Sequence, residues 1–145
     1  MAGIGGTGRI VVGVDGSPAS KDALRWAARQ AAVAGGTVEA VMAWEYPTYY
    51  GWGQVPDVDF EGGARATLTE AVDDALGGDR TIDVDQVVVA GNAAQVLIDA
   101  AKDAVLLVVG SRGHGGFTGA LLGSISQHCT QHATCPVVVI RHATA

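Results

Sequence analysis

The sequence predicts an α/β protein on a parallel sheet, and three observations carry that prediction. Apolar, β-branched runs alternate with alanine-rich segments of helical period. The run at residues 105–109, Val-Leu-Leu-Val-Val, is apolar without interruption, as strands covered on both faces are. The resulting order, βαβαβαβαβ, supplies a helical crossover between successive strands, which parallel neighbours need and which makes right-handed connections with helices on both faces.

Strand one covers residues 9–14 and ends at Asp15-Gly16-Ser17-Pro18, where Ser17 suits a helix cap and Pro18 the first helical position. The helix that follows runs to about residue 34 on an apolar stripe of Ala23, Leu24, Ala27, Ala28, Ala31 and Ala32, and Gly35-Gly36 ends it. Strand two occupies residues 37–44. Residues 45–63 form an expected long loop with Tyr46, Tyr49, Tyr50 and Trp52 close behind Trp44. Those aromatics suit either packing over the sheet edge or a lid or partner surface, since long loops are uncommon unless functional. A second helix is expected over residues 64–76, stopped by Gly77-Gly78. Strand three covers 82–90, a helix 93–103, strand four 105–109, a last helix 123–133 and strand five 136–141. No linker, charge block or internal repeat divides the chain. It is expected to be one domain over residues 9–145 behind a flexible tail at 1–8.

Composition narrows the function classes. An apolar share of 48% is too high for intrinsic disorder, and no apolar run approaches the roughly 18 residues of a membrane helix. The first residues lack the basic and apolar regions of a secretion signal, so a cytoplasmic location is expected. Cys129 and Cys135 are too close in sequence to staple a fold and are expected as thiols. With 15 acidic against 9 basic side chains, the net charge is −6, which argues against nucleic acid. The 21 glycines are about twice the usual share of roughly 7%.

Ligands of doubly wound sheets bind at the carboxyl ends of strands where the winding reverses. Two loops fit that position. One follows strand one, where Val14 ends the strand and Asp15-Gly16-Ser17 turns the chain. The other spans residues 110–124 and has six glycines in fifteen residues before a helix. Glycine permits close approach and positive φ, and the N–H groups of a helix start bind anions without lysine. Ser111, Ser124 and Ser126 offer hydroxyls, and Arg112 one positive charge. The loop is not a P-loop, since Leu122-Gly123-Ser124 lacks the lysine. Gly3, Gly5 and Gly8 match a dinucleotide-binding pattern but precede the first strand, so the turn that pattern builds is absent.

The spacing Gly110, two residues, Gly113, nine residues, Gly123-Ser124 resembles the ATP-binding branch of the universal stress protein family, in its single-domain bacterial form. Val11-Val-Gly-Val-Asp-Gly-Ser17 and Cys135-Pro-Val-Val-Val-Ile-Arg141 add to the likeness, which covers nearly the whole chain. It implies a five-stranded Rossmann-like sheet of order 3-2-1-4-5, similar to that of the adenine nucleotide alpha-hydrolases, with ATP, ADP or AMP over strands one and four. The resemblance places Asp15 beside the nucleoside and the backbone near Ala43 against adenine. It puts Gly110, Gly113, Gly123, Ser124 and Ile125 around ribose and phosphates, which would carry Mg²⁺. It also implies a homodimer through the last strand, Val137 to Ile140, an apolar edge. The pattern departs at Ala93 and Ala94, where relatives often have proline, and at Val105, where they often have an acid.

Other chemistry is less well supported. His128, Cys129, His132 and Cys135 have helical spacing for zinc, but Cys129 suits the core and no metal is assigned to them. His114 has no evident nucleophile to serve. The expected function is a nucleotide-dependent sensor or regulatory binding module in stress response. The alternatives are a slow ATPase or adenylyl-transferring enzyme on the same fold, and a nucleotide-free interaction protein.

Overall fold

The computed structural model describes residues 8–45, 59–78, 82–111 and 123–142. Within them, strands β1 (Arg9–Gly13), β2 (Thr37–Trp44), β3 (Val84–Ala90), β4 (Leu106–Gly110) and β5 (Val137–Ile140) alternate with helices α1 (Pro18–Ala34), α2 (Phe60–Leu76), α3 (Ala93–Ala100) and α4 (Ser124–His132). The sheet order is β3-β2-β1-β4-β5 with every pairing parallel. The tail at residues 1–8 lies, apart from Gly8, outside the described residues, as do Tyr46, Tyr49, Tyr50 and Trp52.

Side chains of a strand alternate between faces, and β1 divides its apolar residues accordingly. Ile10 and Val12 join Ala23, Leu24, Leu68 and Val72 under α1 and α2. Val11 joins Leu97, Ile98 and Cys129 under α3 and α4. Both faces are therefore closed to water, and the central strands read as unbroken apolar runs for that reason. β5 is an edge, and its four residues are each half-buried.

Several boundaries differ from those expected. α2 begins at Phe60, four residues before Ala64, although Gly62 and Gly63 look like helix breakers. Asp59 caps it, with Oδ1 accepting the Gly62 N–H at 2.8 Å, and a Cβ on Gly62 would collide with that same carboxylate. Ala32 is exposed, because the buried stripe of α1 runs through Ala19, Ser20, Ala23, Leu24, Ala27 and Ala31. α3 stops at Ala100 instead of residue 103, since Asp103 turns left-handed at φ 66°. Arg9 holds the end of α3, donating to the Ala100 carbonyl at 2.9 Å and the Lys102 carbonyl at 3.0 Å. β3 begins at Val84, with Ile82 outside the ladder but packed on the core. At α3 Asn92 supplies the cap, its side chain accepting the Gln95 N–H at 3.1 Å, so no proline is needed there.

Cys129 anchors α4 in the core and is fully buried; that burial pushes its thiol pKa up to about 11. Between about pH 9 and 11 the folded thiol keeps a proton that the unfolded one has lost, so stability falls as pH rises. The expected loss across that window is on the order of 1–3 kcal/mol. Urea denaturation at pH 8 and pH 10.5 checks it. The decline should shrink in Cys129→Ala, and an equal decline in both proteins would refute the assignment. Burial also raises the Cys135 thiol, partly offset by backbone hydrogen bonds and by Arg9.

Candidate functional site

The order β3-β2-β1-β4-β5 reverses winding between β1 and β4, so their carboxyl ends flank the crevice where ligands of such sheets bind. Val14, Asp15, Gly110 and Gly123 stand at this crevice. Val14 is buried and its N–H reaches the Val41 carbonyl at 2.9 Å, which fixes the exit of β1 against β2. Ala43 lies two residues beyond Val41 on β2, half-buried and level with Val89 of β3.

Asp15 builds the turn into α1. Its Oδ1 accepts the Ser17 N–H at 2.9 Å, while its own N–H points to the Ser20 hydroxyl at 3.4 Å. Ser17 Oγ accepts the Ser20 N–H at 3.2 Å, and Ser20 Oγ donates to the Ser17 carbonyl at 2.9 Å. Both serines are buried. Ser20 is a positioning residue that sequence inspection missed. Its signal is the Ser17-x-x-Ser20 spacing, which puts a hydroxyl in the first turn within reach of the cap residue's backbone.

Gly110 acts on the protein itself. A Cβ there would lie 2.8 Å from Ala19 Cβ and 2.9 Å from the Ala19 carbonyl carbon, so glycine lets the first turn of α1 rest on the end of β4. Ser111, 8% exposed, then ties three elements together. Its N–H donates to the Ile140 carbonyl of β5 at 2.7 Å, and its carbonyl accepts the Gly123 N–H at 2.7 Å. The chain that leaves at Ser111 is thus fastened where it returns at Gly123. Arg112 and Gly113, both expected at the site, lie outside the described residues, as does His114.

Ser126 does not offer its hydroxyl to a ligand as expected. It is buried, and its single O–H is shared between the carbonyls of Gly123 at 3.1 Å and Ser111 at 3.2 Å. Its position three residues before Cys129 already places it on the inward face of α4. Ser126→Ala should cost about 1 kcal/mol, because each carbonyl retains another donor. A loss beyond about 3 kcal/mol in urea titration would show that more than this bond is at stake.

Ser124 and Ile125 are exposed at the amino end of α4. α1, α2 and α3 start on side-chain caps from Ser17, Asp59 and Asn92, whereas α4 starts at Gly123 with no side-chain cap. Its first N–H groups and the positive end of its dipole therefore suit an anion. Asp15 is the acid in the described parts of these loops, and among the described residues no three His, Cys, Asp or Glu side chains converge as a metal cage. A groove along α2 from Gly62 to Asp74 is lined by that helix alone and includes no residue of the crevice.

These features define a doubly wound, Rossmann-like α/β protein whose helix α4 starts without a side-chain cap at the switch point. The universal stress protein family model matches residues 6–141, and the chain belongs to that family. It is 38% identical over 144 residues to a universal stress protein of Mycobacterium tuberculosis (strain ATCC 25618 / H37Rv), covering 90% of this chain and 46% of the relative. The chain thus spans about half the length of the curated relatives it matches. Among solved structures, a universal stress protein in complex with cAMP is 27% identical with a TM-score of 0.71, covering 95% of this chain and 99% of that one. The universal stress protein from Archaeoglobus fulgidus in complex with dAMP shares the fold at 21% identity and a TM-score of 0.64, covering 91% and 96% of the two chains. No helix among the described residues is long and apolar enough to cross a membrane.

Proposed function

We propose that the chain binds an adenine nucleotide, ATP with ADP or AMP in its place, and acts in the cytoplasm as a stress-response binding module. The nucleotide would lie over β1 and β4, among Val14, Asp15, Ala43, Gly110, Arg112, Gly113, Gly123, Ser124 and Ile125. One observation carries this reading: α4 starts without a side-chain cap, fastened at the switch point by the Ser111–Gly123 bond. The cAMP complex of the 27%-identical relative supports an adenine nucleotide as the class of ligand. A net charge of −6 is compatible with it, because the anion meets backbone N–H groups before it meets carboxylates.

Mg²⁺ fits as an ion held chiefly by phosphate oxygens and water. Asp15 is the protein carboxylate at hand, and such partial protein ligation is usual for Mg²⁺. The ion would offset the charge of the phosphates. The chain from residue 9 onward is read as one unit that pairs through Val137–Ile140 with a second copy, since a half-buried apolar edge invites another strand.

Denaturing the purified chain and chromatographing what it releases should yield an adenine nucleotide. Calorimetric titration of the stripped chain with ATP, ADP, AMP and cAMP should then show saturable binding, lost on replacing Gly113 with leucine. Failure of all four to bind, or unchanged affinity in Gly113→Leu, would refute the reading. Turnover of ATP should stay below about 1 per second.

A further inference from the structure

His128, Cys129, His132 and Cys135 do not form one group. Cys129 is fully buried under α3 and the sheet, and no three such side chains converge among the described residues. What the fold separates out is a pair of imidazoles. His128 and His132 are both exposed, one turn apart on α4, with ring centroids 4.5 Å apart and ring planes inclined by 41°.

Two histidines four residues apart on one helical face are the arrangement by which helices present a pair of ligands to a metal. The helix supplies the second imidazole at high effective concentration once the first has bound. The spacing also bears on the geometry. With metal–nitrogen bonds of about 2.0–2.1 Å, rings this close can both reach one ion and leave its other positions to water. Tetragonal nitrogen and oxygen ligation favours Cu²⁺ and Ni²⁺ over Zn²⁺, and Cu²⁺ heads the divalent affinity order.

We propose that His128 and His132 form a two-imidazole chelate for Cu²⁺ or Ni²⁺ on the exposed face of α4, with water in the remaining positions. The site is independent of the nucleotide reading. It draws on nitrogen ligands, whereas Mg²⁺ beside a nucleotide draws on oxygen. Because the residue between the imidazoles that faces inward is Cys129, the pair lacks the glutamate of a helical zinc-protease motif, and the proposal is for binding alone.

The test uses the untagged chain, stripped of nucleotide and titrated calorimetrically with CuCl₂ and with NiCl₂ in a weakly coordinating buffer. The expected result is one ion per chain, Cu²⁺ held more tightly than Ni²⁺, and a thermal midpoint that rises with metal. His128→Gln and His132→Gln should each weaken Cu²⁺ binding by more than about tenfold. Both positions are exposed, so the metal-free circular dichroism of each variant should match that of the unaltered chain. His142→Gln should leave the affinity as it was. Unchanged affinity in either of the first two variants, loss in His142→Gln of the same size, or one ion per two chains would overturn the proposal.

Discussion

Replacing Gly110 with alanine should lower stability by about 2–3 kcal/mol and weaken nucleotide binding with it. The new Cβ would meet the Ala19 Cβ at 2.8 Å, the Ala19 carbonyl carbon at 2.9 Å and the Ser20 nitrogen at 3.1 Å. Two of those three atoms are backbone of the first turn of α1, which Ser17 and Ser20 lock in place, so relief requires moving the helix. Moving it pulls on the Asp15 turn, one side of the proposed nucleotide crevice. Gly13→Ala is the informative comparison. Its Cβ would lie 2.6 Å from Leu97 Cδ1, the end of a buried side chain and not backbone, so relief asks for a side-chain adjustment in the core and no movement of a helix, and alanine is favoured over glycine in a strand. A cost of about 1 kcal/mol or less is expected there. Urea midpoints with matched slopes measure both, and equal costs would show that α1 is not seated on β4 as described.

Ser124→Asp should move stability and binding in opposite directions. A carboxylate in the first turn of α4 faces N–H groups that no side chain caps, which is worth about 0.3–1 kcal/mol of added stability. The same charge would repel a nucleotide phosphate from those donors. Two like charges about 4 Å apart in partly solvated surroundings repel by up to roughly 4 kcal/mol, so an ATP affinity loss of at least about tenfold is expected. Ser124→Ala lacks the charge and should do neither to that extent. Calorimetry beside thermal denaturation separates the cases. Unchanged ATP affinity in Ser124→Asp would mean that phosphates do not sit at the start of α4.

Much of the fold is legible in the sequence because the local signals agree with the global ones. Val11, Val12, Leu107 and Val108 are apolar neighbours on strands with both faces covered, and Ser17-Pro18 marks the start of α1. The failures have local causes. Gly62 looks like a breaker until the Asp59 carboxylate is seen to need its missing Cβ. Ala32 looks like part of a stripe because alanine carries too little apolar surface to tell one helical face from the next.

The two crevice loops are legible by position, since glycine clusters at strand ends coincide with the switch point between β1 and β4. The roles within them are less so. Gly110, expected to face a ligand, also seats α1, while Ser126 turns inward to hold the loop's base. Both roles arise from contacts between residues distant in the chain, which spacing does not encode.

The bond from the Gly123 N–H to the Ser111 carbonyl, at 2.7 Å, has an evolutionary side as well. By holding the two ends of residues 112–122 together, it makes that stretch a cassette with fixed terminals. Lengthening a closed loop costs only about 0.6 kcal/mol per doubling of its length. With the posts at Ser111 and Gly123 fixed, changes between them are expected to disturb β4, β5 and α4 little. On the proposed nucleotide reading, substitutions at Arg112 and Gly113 would then alter ligand contacts without rebuilding the sheet.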